Sequence, residues 1–231
     1  MDKILVGIPV LYGVHHCRES IESVISKANV SLLIIDNGAE QSVKDLIYYY
    51  DKLPNVIVIS NRENVFVNPA WNQMIDFFIH SEYDRLIIMN SDLIMNNGWD
   101  EVCQKRWEAN HDEILLPVIG ELYYVDTAIA PATKVYSGTP GVFITLNKEQ
   151  AKLIYPIPSA IKIWFGDNWI FEILRSVGYE TLIPDNLLAS HYWSSAIQKV
   201  VNAAEIIEED KISWETLVKP LLNLRISHDK Y

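Results

Sequence analysis

The stretch IIMNSDLIM, residues 87–95, places three consecutive polar residues inside a segment that otherwise has the apolar character of a buried strand. These residues are Asn90, Ser91 and Asp92. A carboxylate among apolar neighbours is costly to bury unless a partner, a metal ion or a strand end open to a cleft compensates it. We therefore expect the strand to end near Asn90 and Asp92 to face a cleft.

Similar apolar segments precede this one, and amphipathic helical patterns separate them. The strand-like segments are KILVGIPV, SLLIID, NVIVIS and RLIIMN, at residues 3–10, 31–36, 55–60 and 85–90. Asn68 and Pro69 are expected to be the N-cap and first residue of the helix before the last of these strands. Continuous apolar strands that alternate with amphipathic helices are typical of a parallel sheet covered on both faces. The sequence thus predicts an α/β, Rossmann-like fold with a mostly parallel central sheet flanked by helices.

Polar residues follow each of these predicted strands. The segments are residues 9–13, 36–38, 61–64 and 90–92. In open sheets of this kind, ligands bind beyond the carboxyl ends of the strands. We expect these four segments to gather at one edge of the sheet and to form a binding cleft.

The second half of the chain has shorter patterns. Strand-like pieces lie at residues 114–119, 122–126 and 141–146. Asn147 is the expected N-cap of the next helix, with Gln150 as its reciprocal partner in a capping box. A stronger helical pattern follows Asp167, and Gly178 is expected to end that helix. From about residue 197 onward the pattern is helical.

The bulk composition is that of a globular protein. The chain has 231 residues, of which 49% are hydrophobic and 21% charged, enough for one substantial core. No apolar run approaches the ~20 residues that cross a bilayer, and the two cysteines match no metal or disulfide spacing. We therefore expect a cytoplasmic protein without a transmembrane segment.

The formal net charge of −11 disfavours a protein whose main role is to bind nucleic acid, because phosphate backbones are bound by positively charged surfaces. Much of this charge lies in EIIEED, residues 205–210, which we expect to form a solvated helix face.

Eight motifs occur in a defined order along the chain. They are ILVGIPVLYG (4–13), LLIIDNG (32–38), Asn64 and Asn72 with Ala70 between them, IIMNSD (87–92), Gly98 with Trp99, GVFI (141–144), GDNWIFEILRSVGY (166–179) and LLASHYW (187–193). In this order they resemble the family 2 type of glycosyltransferase with the GT-A fold, over about residues 3–193. Phe66 stands where that family usually has glycine, and Asn90 replaces the first aspartate of its Asp-x-Asp signature.

The resemblance implies a domain organisation. A single GT-A domain would occupy residues 1–196, with a nucleotide-sugar-binding half at 1–98 and an acceptor half at 99–196. A helical C-terminal extension would follow at residues 197–231.

The resemblance also implies an activity, that of a metal-dependent inverting glycosyltransferase acting on a nucleotide-diphosphate sugar, with a UDP-sugar favoured. Asp92 and His191 would hold Mn²⁺ or Mg²⁺, and Asp167 would be the base that accepts the proton of the acceptor hydroxyl. The residues implied in nucleotide-sugar binding are Pro9, Tyr12, Asp36, Asn64, Asn72, Asn90, Ser91 and Asp92. The transferred sugar would be a hexose or a pentose.

Ordinary structural roles compete with these assignments. Asp167 could be a helix N-cap, and Asp36, which precedes Asn37 and Gly38, could be a turn residue. Asn64 and Asn72 could cap a loop and a helix. His191 could be a structural histidine, and Trp164, Trp169 and Trp193 could belong to the core instead of forming a platform on which an acceptor stacks.

Two other functions compete with sugar transfer. One is a nucleotide-sugar-binding module without transfer activity, and the other is a nucleotidyltransferase. The latter normally carries a glycine-rich basic loop after its first strand, whereas LYGVHHCRES at residues 11–20 has one glycine and one arginine. The acceptor could be a glycan, a peptide or a hydroxylated DNA base, and the acidic charge disfavours DNA.

Overall fold

The computed structural model describes residues 1–124, 126–135, 141–192 and 199–228. Its strands are β1 (Ile4–Val10), β2 (Val30–Asn37), β3 (Val56–Asn61), β4 (Arg85–Met89), β5 (Leu93–Met95), β6 (Ile114–Leu115), β7 (Val118–Ile119), β8 (Ala132–Lys134), β9 (Phe143–Asn147), β10 (Thr181–Pro184) and β11 (Leu188–His191). Its α-helices are α1 (Val14–Ile25), α2 (Gln41–Tyr50), α3 (Val67–His80), α4 (Trp99–Ala109), α5 (Lys148–Ile154), α6 (Gly166–Ser176), α7 (Ala203–Ser213) and α8 (Lys219–His228). A π-helical segment, Trp214–Val218, joins α7 and α8.

The central sheet has five strands in the order β3-β2-β1-β4-β9. The first four are parallel, and β9 runs antiparallel to β4. The chain moves outward from β1 to β3 and then returns to place β4 on the other side of β1. This reversal opens a crevice at the carboxyl ends of β1 and β4, where ligands bind in sheets of this class. The predicted α/β fold with a mostly parallel sheet is confirmed.

Helices cover both faces of this sheet. Ile4, Val6 and Ile8 point to one apolar cluster that includes side chains of α1, α2 and α4. Leu5 points to a second cluster with side chains of α3, α5 and α6. Because successive side chains of a strand alternate between faces, a fully apolar β1 requires both layers.

Two small sheets complete the second half of the chain, in the orders β6-β10-β8 and β5-β11-β7. In the latter, β11 lies antiparallel to β5 and places His191 opposite Leu93. In the segment expected to form a strand at 122–126, the described residues 122–124 and 126 are exposed and without regular structure, and residue 125 lies outside the described residues. The short polar strand β8 lies outside the predicted segments.

Two predicted helix boundaries, the start of α5 and the end of α6, are confirmed, and the predicted starts of α3 and α6 are wrong. Asn147 and Gln150 form the capping box of α5, and Gly178 follows α6 with a φ of 96°. Helix α3, however, begins before Asn68, with Phe66 as its N-cap at a φ of 71°. Helix α6 begins at Gly166, with Phe165 as its N-cap at a φ of 65°.

The C-terminal helices pack onto the body of the protein. Trp214, Val218 and Leu222 belong to the same apolar cluster as α3, α5 and α6. The expectation that residues 205–210 form a solvated face is wrong at Asp210, which is 1% exposed. Among the residues that the structure describes, no helix has both the length and the apolar character needed to cross a membrane.

Candidate active site

The carboxyl ends of β2 and β3 are joined through amide side chains. Asn37 donates through Nδ2 to Oδ1 of Asn64 at 2.9 Å and accepts from the backbone N–H of Val65 at 3.0 Å. Asp36 is 7% exposed and accepts the N–H of Ala39 at 2.8 Å, which is the turn contact expected of such a residue. One oxygen of Asp36 is therefore engaged locally, and its carboxylate keeps further acceptor capacity.

The end of β1 lies beside these residues. Val10 is in register with Asp36 on β2, and Pro9 is half-buried within β1. Glu40 holds the following loop, because its Oε1 accepts the N–H of Gly13 at 3.0 Å and its N–H donates to the carbonyl of Leu11 at 3.0 Å. Tyr12 lies half-buried inside this loop. Glu40 is a site-forming residue that the sequence motifs did not indicate.

Asp92 and His191 meet at the end of β4. Nε2 of His191 lies 3.1 Å from Oδ1 of Asp92, and the two side chains are 4% and 9% exposed, respectively. The antiparallel pairing of β5 with β11 produces this contact, and the N–H of Tyr192 donates to the carbonyl of Asp92 at 3.0 Å. The two residues to which the family resemblance assigned a metal are thus neighbours in space, 99 positions apart in the chain.

The backbone of Asn90 is held on both sides. Its N–H donates to the carbonyl of Val142 at 2.9 Å, and its carbonyl accepts from the hydroxyl of Ser20 at 3.2 Å. Ser91 is buried and lies against Cys17, whose pKa is raised by burial to about 11 although the hydrogen bond with Ser91 opposes that shift. A thiol with such a pKa is protonated at neutral pH, so Cys17 is unsuited to nucleophilic catalysis.

Asp167 lies at the same edge of the sheet. Because β9 is antiparallel to β4, with Phe143 opposite Met89, the residues just before β9 lie beside the end of β4. Gly141 donates its N–H to Oδ2 of Asp167 at 3.0 Å, and Oδ1 accepts the N–H of Asn168 at 2.9 Å. Asp167 is the second residue of α6, so the alternative that it is an N-cap is wrong.

Asn64 and Asn72 have structural contacts. Asn64 also accepts the N–H of Phe66 at 2.8 Å. Both polar atoms of Asn72 bind the backbone of Ile157, with Nδ2 donating to its carbonyl at 2.9 Å and Oδ1 accepting its N–H at 2.8 Å. Asn72 therefore joins α3 to the segment after α5. It lies inside α3, so the alternative that it caps a helix is wrong.

The three tryptophans considered for an acceptor platform do not share one environment. Trp169 is 6% exposed and donates Nε1 to the carbonyl of Ile154 at 2.8 Å, so it belongs to the core. Trp164 is 49% exposed and lies just before α6. Trp193 lies outside the described residues.

The side chains at this edge fit a divalent cation. Within the described part of the chain, no group of three or more His, Cys, Asp and Glu side chains is arranged to hold a metal. Asp92 nevertheless supplies a carboxylate oxygen, the ligand type that suits Mn²⁺ and Mg²⁺, and His191 places an imidazole nitrogen beside it. Few protein ligands are typical of metals that share their coordination with substrate phosphates and water.

A family assignment follows from the sequence. Residues 6–165 match the model of the family described as Glycosyl transferase family 2. The chain belongs to this family. No curated protein matches the chain in sequence.

Three solved structures of glycosyltransferases share the fold at low sequence identity. GalNAc-T7 with UDP, GalNAc and Mn²⁺ is 13% identical, with a TM-score of 0.65, and the match covers 93% of this chain and 55% of that chain. TarS 1–349 of S. aureus is 9% identical, with a TM-score of 0.65 and coverage of 93% and 72%. Mannosyltransferase PcManGT from Pyrobaculum calidifontis, in complex with GDP-Man and Mn²⁺, is 10% identical, with a TM-score of 0.62 and coverage of 98% and 73%. This family 2 chain therefore spans only about half of the GalNAc-T7 structure.

Proposed function

We propose that this protein is a metal-dependent inverting glycosyltransferase that moves a sugar from a nucleotide-diphosphate donor, with a UDP-sugar favoured, to an acceptor hydroxyl. The observation that carries the proposal is the contact of Asp92 with His191 at 3.1 Å, at the sheet edge where Gly141 anchors Asp167. Membership of family 2 supports transfer of a glycosyl group over transfer of a nucleotidyl group.

The donor half of the site would be formed at the ends of β1, β2 and β4. Asp92 and His191 would hold Mn²⁺ or Mg²⁺, and the bound cation supplies neutralisation of the charge that develops on the leaving diphosphate. Asp36 would accept a hydrogen bond from the nucleoside, and Asn90 would bind the ribose without adding charge. Mn²⁺ accompanies UDP in one similar structure and GDP-Man in another, which supports a site for a metal and a nucleotide at this edge of the sheet.

The acceptor half of the site would depend on Asp167. Its carboxylate would accept the proton of the acceptor hydroxyl while the hydroxyl oxygen attacks the anomeric carbon. A base on the side of the sugar opposite to the leaving diphosphate gives inversion of configuration. The N–H groups of Gly141 and Asn168 would hold the carboxylate in place during this step. Trp164, half-exposed three residues before Asp167, offers an aromatic face on which a glycan acceptor would stack.

Calorimetric titration tests the donor half. UDP, GDP, UDP-sugars and GDP-mannose are added with and without Mn²⁺ to the wild type, to Asp92→Ala and to a control, Asp185→Ala, whose side chain is exposed between β10 and β11. We expect one nucleotide to bind tightly only with Mn²⁺, in the wild type and the control but not in Asp92→Ala. Equal affinity in all three proteins would contradict the proposed site.

Turnover tests the acceptor half and separates transfer from mere binding. The donor that binds is incubated with the wild type and with Asp167→Asn, with water or simple glycosides as acceptors, and NMR follows the anomeric configuration of the first product. We expect inverted product from the wild type, and from Asp167→Asn a rate lower by about 10²-fold or more with unchanged donor affinity. Donor binding without turnover in the wild type would instead support a nucleotide-sugar-binding module.

A further inference from the structure

The buried carboxylate of Asp210 on α7 binds the loop that leads into α6. Its Oδ1 accepts the N–H of Lys162 at 2.8 Å, and its Oδ2 accepts the N–H groups of Ile163 at 2.7 Å and Trp164 at 2.9 Å. Asp210 is 1% exposed, so these three charge-assisted hydrogen bonds replace its hydration. A carboxylate that accepts three consecutive backbone N–H groups fixes the path of the loop.

A second contact from the same helical region supports the next residue. The indole of Trp214 stacks on the ring of Phe165, with 5.1 Å between centroids and 10° between planes. Phe165 has a φ of 65°, a conformation uncommon for a bulky side chain that persists only where the surroundings hold it. Phe165 immediately precedes Gly166 and Asp167, so its backbone conformation sets the direction in which α6 starts.

Helix α3 holds the same loop from another side. Asn68 donates Nδ2 to the carbonyls of Ile161 at 3.2 Å and Trp164 at 3.0 Å, and its own N–H donates to the carbonyl of Lys162 at 2.9 Å. A Cβ on Gly166 would lie 2.1 Å from Oδ1 of Asn68, so the loop and α3 are in close contact. The loop is thus held between α3 and α7, and its N–H groups are bound by Asp210.

We propose that Asp210 is a positioning residue for Asp167. It touches none of the reacting groups, and it acts by fixing residues 162–164 and, through Phe165, the orientation of the Asp167 carboxylate toward the acceptor. This inference rests on the proposed function, in which Asp167 is the base. Helix α7 would thereby contribute to catalysis indirectly, by positioning the base, whereas the sequence of this region indicated only a solvated helical extension.

The substitution Asp210→Asn tests the proposal, with Glu209→Gln as matched control. Glu209 is the preceding carboxylate on the same helix, and it reaches the same loop only through an exposed ion pair with Lys162 at 3.3 Å. In Asp210→Asn we expect kcat to fall about tenfold to a hundredfold, because displacing a catalytic group by about 1 Å has effects of that size. The dissociation constant of UDP with Mn²⁺, measured by calorimetry, is expected to stay within about twofold, and Glu209→Gln to leave both quantities unchanged.

Hydrogen exchange shows whether the loop itself has been released. We expect the amides of Lys162, Ile163 and Trp164 to exchange faster in Asp210→Asn than in the wild type, and amides in β1 and β2 to be unaffected. If Asp210→Asn does not fold, Asp210→Glu retains the charge while moving the acceptor atoms by one methylene group. In that variant we expect the same selective loss of kcat.

Three results would overturn the inference. An unchanged kcat together with faster exchange of the three amides would show that the loop does not position the base. A parallel loss of nucleotide affinity and kcat would show a general structural role. A wild type without turnover of any nucleotide sugar would overturn this inference together with the proposed function, and the inactive wild type distinguishes that outcome from the first two.

Discussion

At the scale of single residues, the contact between His191 and Asp92 makes a prediction about metal dependence. We expect His191→Gln to lower the Mn²⁺-dependent part of the affinity for UDP at least about tenfold, because one of two donors is lost. Affinity without Mn²⁺ should be unchanged. Calorimetry with and without the metal measures both, and His80→Gln, at an exposed histidine at the end of α3, is the control. Equal loss with and without Mn²⁺ would contradict a metal-binding role.

A second prediction concerns the thiol of Cys17, whose pKa burial raises to about 11. At pH 8 its thiolate population is on the order of one in a thousand, and Cys17 is fully buried. We expect no alkylation of Cys17 by iodoacetamide in the native protein and rapid alkylation after unfolding in urea, measured by mass spectrometry. Rapid alkylation in the native state would show that the first turn of α1 opens readily.

The sequence alone indicated a special role for Asp92 but not for Asp210, and the difference has a physical reason. Asp92 is an isolated carboxylate in an apolar strand segment, a conflict visible in the sequence itself. Asp210 lies among other acidic residues of EIIEED, so nothing in its neighbourhood distinguishes it from a solvated charge. Its three partners lie 46 to 48 positions away. Only the packing of α7 against the loop before α6 reveals its role.

At the scale of elements, the junction between β9 and α6 predicts the effect of a single methyl group. A Cβ on Gly141 would lie 2.5 Å from Cβ of Asp167, whereas a Cβ on Gly120 would meet nothing within 4 Å. We therefore expect Gly141→Ala to displace Asp167 and to lower kcat about tenfold or more, and Gly120→Ala to leave kcat unchanged. Steady-state kinetics on both variants measures the difference. A fully active Gly141→Ala would contradict the placement of the base.

The capping box of α5 predicts a change in stability. Asn147 accepts the N–H of Gln150 at 2.9 Å, and Gln150 accepts the N–H of Asn147 at 2.8 Å. We expect Asn147→Ala to lower the free energy of unfolding by about 1–2 kcal/mol, because a buried N-terminal N–H loses its partner. Urea denaturation measures this, and Glu149→Gln on the same first turn is the control, with an expected change below about 0.5 kcal/mol.

Helix boundaries that depend on neighbouring residues could be predicted from the sequence, and boundaries that depend on distant contacts could not. The capping box at Asn147 and the stop at Gly178 depend on residues within a few positions, and both were predicted correctly. The starts of α3 and α6 depend on Phe66 and Phe165, whose backbone φ angles are positive, at 71° and 65°. Bulky residues rarely adopt this conformation, and distant contacts such as the Trp214 stack accompany it.

At the scale of the whole molecule, the pattern of apolar segments was sufficient to predict a mostly parallel main sheet. Continuous apolar strands require cover on both faces, which fixes the layered α/β arrangement. The small sheets were harder to predict from the sequence, because strands such as β6 and β8 have only two or three residues. Periodicity cannot be recognised over so few positions. One of these small sheets, β5-β11-β7, nevertheless brings His191 to Asp92.

The last prediction concerns whether the C-terminal helices fold as part of the same unit. Trp214 is 7% exposed and packs with the apolar cluster of α3, α5 and α6, whereas Leu217 in the same π-helical segment is 54% exposed. We expect Trp214→Ala to lower the free energy of unfolding by about 3–5 kcal/mol and Leu217→Ala by less than about 0.5 kcal/mol. Because Trp214 contacts this cluster, both variants should unfold in one transition, with tryptophan fluorescence and circular dichroism coincident. A separate early loss of helix in Trp214→Ala would show that residues 197–231 form an independent extension, and the positioning role of Asp210 would then lack its rigid support.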